Sequence, residues 1–180
     1  MKKDIDVKDK LGKTVCHLMK NRTIDEITLK EIFTAADVSR YEFYKHFTRK
    51  EDLVEWEYAR KLKQNALNIL DSKCWSEALY KKFTVYEKYK AFFRNVYRGR
   101  EIEAIRQHNV DFVRDAYMAM LKAHGADLTN PHIVFACEMA VVGGEEMAMR
   151  WILDGMREPK EVMLVLFQES IPKCIIEYFQ

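Results

Sequence analysis

The chain has 180 residues, 48% of them apolar, with three Pro, six Gly and a net charge of +2. That length and apolar share bury the core of one compact domain, or of a small module fused to a larger one, and the scarcity of helix breakers favours helices over sheets. No run of about 18 apolar residues occurs, the opening MKKDIDVKDK is charged where a secretion signal turns apolar, and Cys16, Cys74, Cys137 and Cys174 form no CxxC pair, so a membrane span, secretion and a disulfide or zinc framework are disfavoured and a cytoplasmic, nearly all-α protein is expected.

A first amphipathic helix is predicted over 4–20, where Ile5, Leu11, Val15, Leu18 and Met19 approximate one stripe, and NRTIDEI breaks it. Three copies of one start signal follow, a hydroxyl residue with Glu three positions later: Thr28 with Glu31, Ser39 with Glu42, and Thr48 with Glu51. In such a capping box the hydroxyl takes a free backbone N–H at the helix start, and the Glu reaches back to the N–H of the cap residue. The spacing of these starts leaves room for two short helices, about 29–36 and 40–47, and for a third that can run on. Between the short pair, ADVS has length only for a tight turn, in which Asp37 can adopt a left-handed backbone because its side chain is short and polar. Two short helices joined by a tight turn and packed on a first helix make a helix-turn-helix.

On the second short helix, at about 100° per residue, Phe43 and Phe47 fall about 40° apart and face inward with Val38, Ile32 and Phe33. Tyr41, Glu42, Tyr44 and Lys45 then form the outer face, with Arg40 at the helix start. Tyr hydroxyls and cations donate to phosphate oxygens, and first-turn residues reach base edges in the major groove, whereas the plainer reading is a solvated amphipathic face. Residues 1–50 carry 12 Lys/Arg against 8 Asp/Glu, leaving a net −2 on the rest, a distribution that suits a basic module facing a polyanion and equally a chance imbalance.

The segment TLKEIFTAADVSRYEFYKHFTRKEDLV resembles the DNA-binding signature of the TetR family of bacterial transcriptional regulators, over about residues 8–56. The matching pieces are Ala35-Ala36 in the second helix, Val38-Ser39 in the turn, Tyr44-Lys45-His46-Phe47 ending the recognition helix, and Lys50-Glu51-Asp52-Leu53 opening the fourth helix. The resemblance implies that Thr28, Ser39, Tyr44, His46 and Lys50 contact phosphates, while Arg40, Tyr41, Glu42 and Lys45 sit where the family contacts bases or nearby backbone. Two departures stand out: Asp37 where the turn commonly has Gly, and Tyr41 and Glu42 where the recognition helix commonly has small residues. Glu42 has two competing roles, as helix cap and as acceptor from cytosine N4, with the cap expected to dominate.

Further helices are predicted at 49–71, with Leu53, Trp56, Leu62, Ala66, Ile69 and Leu70 apolar; across the aromatic-rich 76–97; at 101–124, stopped by Gly125; at 131–154, announced by Asn130-Pro131; and from Pro159 to the terminus, with a kink or break at Pro172. The last two are apolar on several faces, and helices of that kind need partners on several faces. Either burial within one chain or a two-fold four-helix bundle with a twin would supply them, with Gly143-Gly144 allowing close approach and Val142, Met149, Leu166 and Ile175 as candidate interface residues. RWILDG at 150–155 also faintly resembles the C-terminal region of a TetR subgroup that includes regulators of dihydroxyacetone kinase operons.

An enzyme is not expected: the five His show no HExxH pair and no Glu followed three residues later by His, and no P-loop or GxGxxG occurs. His108 and Asp111 share a helix face, where a surface hydrogen bond is the simpler outcome than an acid–base couple. The reading is therefore an all-α chain with a three-helix helix-turn-helix domain at 1–48 and a helical regulatory and dimerisation domain at 49–180, with no metal or cofactor. By resemblance, its partners are double-stranded operator DNA, a second copy of itself and a small-molecule effector. Phe93, Tyr97, Tyr117 and Met118 are candidate pocket residues that would serve equally as plain core. A helical adaptor for a protein partner, or an activator rather than a repressor, remains the alternative.

Overall fold

A computed structural model describes residues 2–65, 74–100 and 102–179, and every secondary-structure element among them is helical. Ala66, Ile69 and Leu70, expected to extend the fourth helix, lie outside the described residues, as does the side chain of Ile5. No helix among the described residues is long and apolar enough to cross a membrane. The chain forms two compact units, one of Met1–Lys61 with Tyr89–Ile102 and one of Leu62–Lys88 with Glu103–Gln180.

The first unit is built on α1 (Lys2–Leu18), α2 (Leu29–Ala36), α3 (Arg40–Tyr44), the first part of α4 (Lys50–Asn65) and α6 (Lys90–Tyr97). Leu11, Val15 and Met19 on and just after α1 are fully buried, together with Ile27, Ile32, Phe43 and Leu53, so one apolar cluster holds the first four helices. The capping logic is realised in graded form. Thr28 and Glu31 form the full reciprocal box, with Thr28 N–H donating to Glu31 at 2.8 Å, and Arg22 pairs with the same carboxylate at 2.8 Å. Ser39 accepts the Glu42 N–H at 3.1 Å, but Glu42 returns only to the Ser39 hydroxyl at 3.4 Å, half of the expected box. At α4 the reaching carboxylate is Asp52, not Glu51: it accepts from the N–H groups of Thr48 and Arg49 at 3.0 and 2.9 Å. A further box, Thr23 with Glu26, turns the expected break into a 3-10 turn over Ile24–Glu26. Asp37 takes the left-handed conformation, φ 49° and ψ 53°, and ends α2 with its N–H directed to Phe33 and Thr34 carbonyls.

The aromatic segment expected over 76–97 is divided at Tyr89, whose φ of −117° and ψ of 30° separate α5 (Trp75–Lys88) from α6. The break turns the Tyr89 ring under the Lys61 ammonium, 3.6 Å from the ring centre. α6 is tied to the N-terminal helices by the Asn95 carboxamide, which donates to the Met19 carbonyl at 2.8 Å, and by the Arg100 N–H, which donates to Asp25 at 3.0 Å.

The second unit contains α5, nearly all of α7 (Ile102–Ala123), α8 (Pro131–Leu153), α9 (Lys160–Ser170), α10 (Lys173–Ile176) and a closing 3-10 turn over Glu177–Phe179. Its ends follow the expected chemistry. Gly125 adopts φ 84° after α7, Asn130 accepts the His132 N–H at 3.0 Å with Pro131 in the first turn of α8, and the chain breaks at Ile171-Pro172 between α9 and α10. RWILDG is the α8 terminus: Gly155 is left-handed, Met156 N–H donates to the Trp151 carbonyl at 2.7 Å, and the Trp151 indole donates to the Glu158 carbonyl at 2.9 Å, fastening the turn into α9. The Phe83 ring packs edge-on against Phe167 and Trp151, and Trp75 stacks on Phe179.

Candidate nucleic-acid interface

α3 is short, and its cap and anchors fix which way it faces. Ser39 starts it, and Phe43 is fully buried between Phe33 and Phe47, with ring centres 5.3 and 5.7 Å away. Phe47 in turn packs on Trp56 of α4. With that seam inward, Tyr41 is 73% exposed and Tyr44 43% exposed, Arg40 and Lys45 are exposed, and Glu42 and His46 are half-buried.

The outer side chains pair one helical turn apart. The Lys45 ammonium lies over the Tyr41 ring at 4.4 Å, and the Arg40 guanidinium over the Tyr44 ring at 5.5 Å. Each pair pre-positions a cation on an aromatic face and limits its rotamer freedom, while both tyrosines stay exposed. Two cations and two phenols on five consecutive helical positions with their neighbour make a donor-rich face suited to phosphate oxygens and to acceptor atoms on base edges.

The other expected contacts sit around this face in different states. Thr28 and Ser39 are exposed, and both hydroxyls already serve as caps. The Glu31 carboxyl is drawn down to about 2, chiefly by the Thr28 backbone N–H and then by Arg22, so it is anionic at neutral pH. Lys50 is the residue whose role the sequence leaves hidden: its ammonium donates to the carbonyls of Ile24 and Ile27, both at 2.7 Å, closing the end of the 3-10 turn and leaving one of three donors to point elsewhere.

The four candidate pocket residues are divided between the two units. Phe93 and Tyr97 belong to the first unit, where Phe93 is fully buried against Tyr58 and the Tyr97 and Tyr58 hydroxyls share a hydrogen bond of 2.7 Å. Tyr117 and Met118 belong to the second unit, where Met118 is half-buried and the Tyr117 hydroxyl accepts from the Trp75 indole at 2.6 Å. Asp111 is held by Gln107 at 2.9 Å and by Arg114, which pairs bidentately with Glu138 at 2.7 Å, so its carboxylate joins a helix-to-helix clamp.

Among the candidate interface residues, Val142 and Leu166 are exposed, Met149 is half-buried, and Ile175 is fully buried within this chain's own core. The exposed apolar face is broader than the sequence suggests: Phe135, Met139 and Met147 on α8 join Val162 and Val165 on α9. An open groove of about 710 Å³ runs between the two helices, lined by Met139, Gly143, Met147, Met163, Leu166 and Phe167 among others. Gly143 borders open space, whereas a Cβ on Gly144 would lie 3.3 Å from the Phe167 ring, so the close approach at this glycine is to the same chain's own α9.

Comparison with known proteins adds three findings. A family model described as a transcriptional regulator C-terminal region matches residues 73–173. A crystal structure of a TetR-family transcriptional regulator from Streptomyces coelicolor superposes with a TM-score of 0.67 at 22% identity, covering 91% of this chain and 78% of that one. The dihydroxyacetone kinase operon activator DhaS superposes with a TM-score of 0.74 at 14% identity, covering 97% of this chain and 98% of that one. No curated protein matches the sequence.

Proposed function

From the premise that this chain belongs to the TetR family of transcriptional regulators, we propose that it is a homodimeric repressor that binds operator DNA and is released by a small-molecule ligand. The observation that carries the DNA-binding part is the outer face of α3, where Arg40 with Tyr44 and Tyr41 with Lys45 form two cation–aromatic pairs pointing away from a Phe43/Phe47 anchor. Thr28, Ser39, Tyr44, His46 and Lys50 contact phosphates around this face, and Arg40, Tyr41, Glu42 and Lys45 read or flank base edges. The functional boundary lies near residue 48, with the reader before it and the regulatory and dimerising helices after it.

Dimerisation through the apolar face of α8 and α9 presents two α3 helices to DNA one turn, about 34 Å, or a multiple of it apart. Release requires the ligand to prefer the conformation in which that spacing is lost, because a ligand with equal affinity for both states shifts nothing. Among the described residues the Glu42 carboxylate has only the long contact to Ser39, which supports giving it a share of sequence readout beside its capping role.

An activator, or an adaptor that engages a protein, is the second reading. It draws on the fold similarity to an operon activator and on the exposed Phe135, Met139 and Leu166, which would suit a protein partner as well as a twin.

The test is to sequence genomic DNA retained by the purified protein. Enrichment of inverted repeats at one-turn spacing, lost in the Tyr44→Ala plus Lys45→Ala double variant, is expected; retention of no DNA sequence above background sinks the reading. Lys50→Ala is a poorer probe, since it also removes the hydrogen bonds to Ile24 and Ile27. Glu42→Gln is expected to keep the fold and shift operator preference across a library.

A further inference from the structure

The second unit buries an ion pair that DNA binding does not use. Lys82 on α5 and Glu145 on α8 are 5% and 9% exposed and hydrogen-bonded to each other, and the second Glu145 oxygen accepts from the buried carboxamide of Asn109 on α7. Beside the pair lies a cavity of about 20 Å³ whose walls include Trp75, Lys82, Tyr117, Gly144, Glu145 and Phe167. Its size is that of one water.

The hydrogen-bond inventory of these walls is lopsided. Both Glu145 oxygens are occupied, but the Lys82 ammonium has three donors and, among the described residues, Glu145 as its one hydrogen-bond acceptor. The Tyr117 hydroxyl accepts from the Trp75 indole at 2.6 Å, which leaves its own O–H to donate. Burial pushes the Tyr117 phenol well above its ordinary 10 and so keeps that proton in place. Buried donors are almost always matched; one water fits the chamber and can accept from both, and a ligand that displaces it must bring an acceptor atom of its own.

Charge narrows the guest further. An anion would bring its charge beside the Glu145 carboxylate, and a cation would meet the Lys82 ammonium while offering no acceptor. An uncharged oxygen acceptor leaves the ion pair intact. Room for more than a water lies behind Phe167: Ala140, Gly144 and Phe167 line both the chamber and the groove between α8 and α9, so the Phe167 ring divides the two spaces. The absence of a Cβ at Gly144 lets that ring lie close against α8.

We infer that this chamber is the effector site, and that it takes a small uncharged molecule presenting a carbonyl or hydroxyl oxygen to Lys82 and Tyr117, entering as the Phe167 ring swings aside. The inference rests on the ligand-responsive reading of the protein.

Three probes of one shape and different charge test it: acetamide, acetate and acetamidinium, titrated into the full-length protein labelled with 5-fluorotryptophan and followed by fluorine NMR. Acetamide is expected to shift the Trp75 signal saturably and to bind at least about tenfold more tightly than either charged probe. Tyr117→Phe should weaken acetamide about tenfold, the loss of one hydrogen bond. The Lys82→Met plus Glu145→Met double variant, which replaces the pair with side chains of similar volume, should abolish the response while circular dichroism reports an unchanged helix content. Acetate binding as tightly as acetamide, a Trp75 signal that no probe moves, or an acetamide response that survives Tyr117→Phe unaltered would each overturn the assignment. Binding of an enriched genomic fragment is read by anisotropy in the same samples. DNA bound with Trp75 silent removes the chamber alone, whereas no DNA binding under any condition removes the regulator reading and the effector role with it.

Discussion

Each unit buries a carboxylate beside a lysine, and the two clusters are finished differently. In the first unit Glu57 is fully buried on α4. Arg60 grips both its oxygens at 2.7 and 2.9 Å, and Lys61 adds a third contact at 2.9 Å. The cations are themselves secured, Arg60 by Asp9 of α1 at 3.5 Å and Lys61 by the Tyr89 ring. In the second unit Glu145 accepts from Lys82 on one oxygen and from Asn109 on the other, and the Lys82 ammonium, 5.7 Å from the centre of the Tyr86 ring, also lines a chamber. A closed cluster fixes helices to one another. An open one keeps hydrogen-bonding capacity in reserve, and desolvated capacity of that kind is what a ligand site consists of. Burial of charge alone therefore does not distinguish a brace from a binding site; a chamber beside the pair does.

The largest effect should come from opening the closed cluster. Glu57→Gln leaves two cations facing a neutral carboxamide in a dry site, and breaking a buried pair from one side costs about 3–5 kcal/mol. Urea unfolding should show that loss. The Lys82→Met plus Glu145→Met exchange removes both charges together but strands the buried Asn109 carboxamide, and should lose less, about 1–3 kcal/mol. Equal losses in the two experiments would erase the distinction between brace and site.

Gly12 tests the same brace through shape. It lies on α1 with no room above it: a Cβ there would collide with the Glu57 carboxylate and stand 2.8 Å from the Trp56 ring. Alanine gains up to about 1 kcal/mol of helix propensity over glycine, whereas overpacking costs about 1–3 kcal/mol. Because Arg60 and Lys61 hold Glu57 in place, the second effect should win, and Gly12→Ala is expected to lose about 1–2 kcal/mol. A more stable variant would mean that the cluster gives way easily and braces nothing.

The difference between the clusters also marks what the sequence could carry. The helix-turn-helix was legible because its signals are local: Thr28 with Glu31, Asp37 at the turn, and Phe43 with Phe47 on one helix face all act within four residues. Even there, two adjacent carboxylates, Glu51 and Asp52, compete for one cap, and spacing alone favoured the wrong one. Lys50 as a carbonyl cap, Asn95 on Met19 and Lys82 with Glu145 join residues 23 to 76 positions apart, beyond what periodicity reports. Ile175 illustrates the same limit. Its apolar character placed it on a packed face, but only the chain break at Ile171-Pro172 decides that this face belongs to its own core.

Glu31 separates number of partners from burial, at the smallest expected scale. It has as many ties as Glu57, accepting from the Thr28 N–H, the Thr28 hydroxyl and Arg22, each at 2.8 Å, but it sits on the surface. Those donors, the Thr28 N–H first, lower its carboxyl from the ordinary 4.5 to about 2. A group whose pKa is lower in the folded state stabilises the fold above its unfolded pKa, and the contribution is lost as pH falls toward the folded value. The stabilisation from Glu31 should therefore be complete above about pH 5 and fade between pH 4.5 and 2. In Glu31→Gln the carboxamide can still serve the capping box but carries no charge to titrate. The gap in melting temperature between parent and variant should be small at pH 7 and should close as the pH is taken down to 3. A gap that stays constant would mean that the carboxylate acts through its shape and hydrogen bonds, with its charge contributing nothing. Partner number would then explain Glu57 as well, without any appeal to its burial.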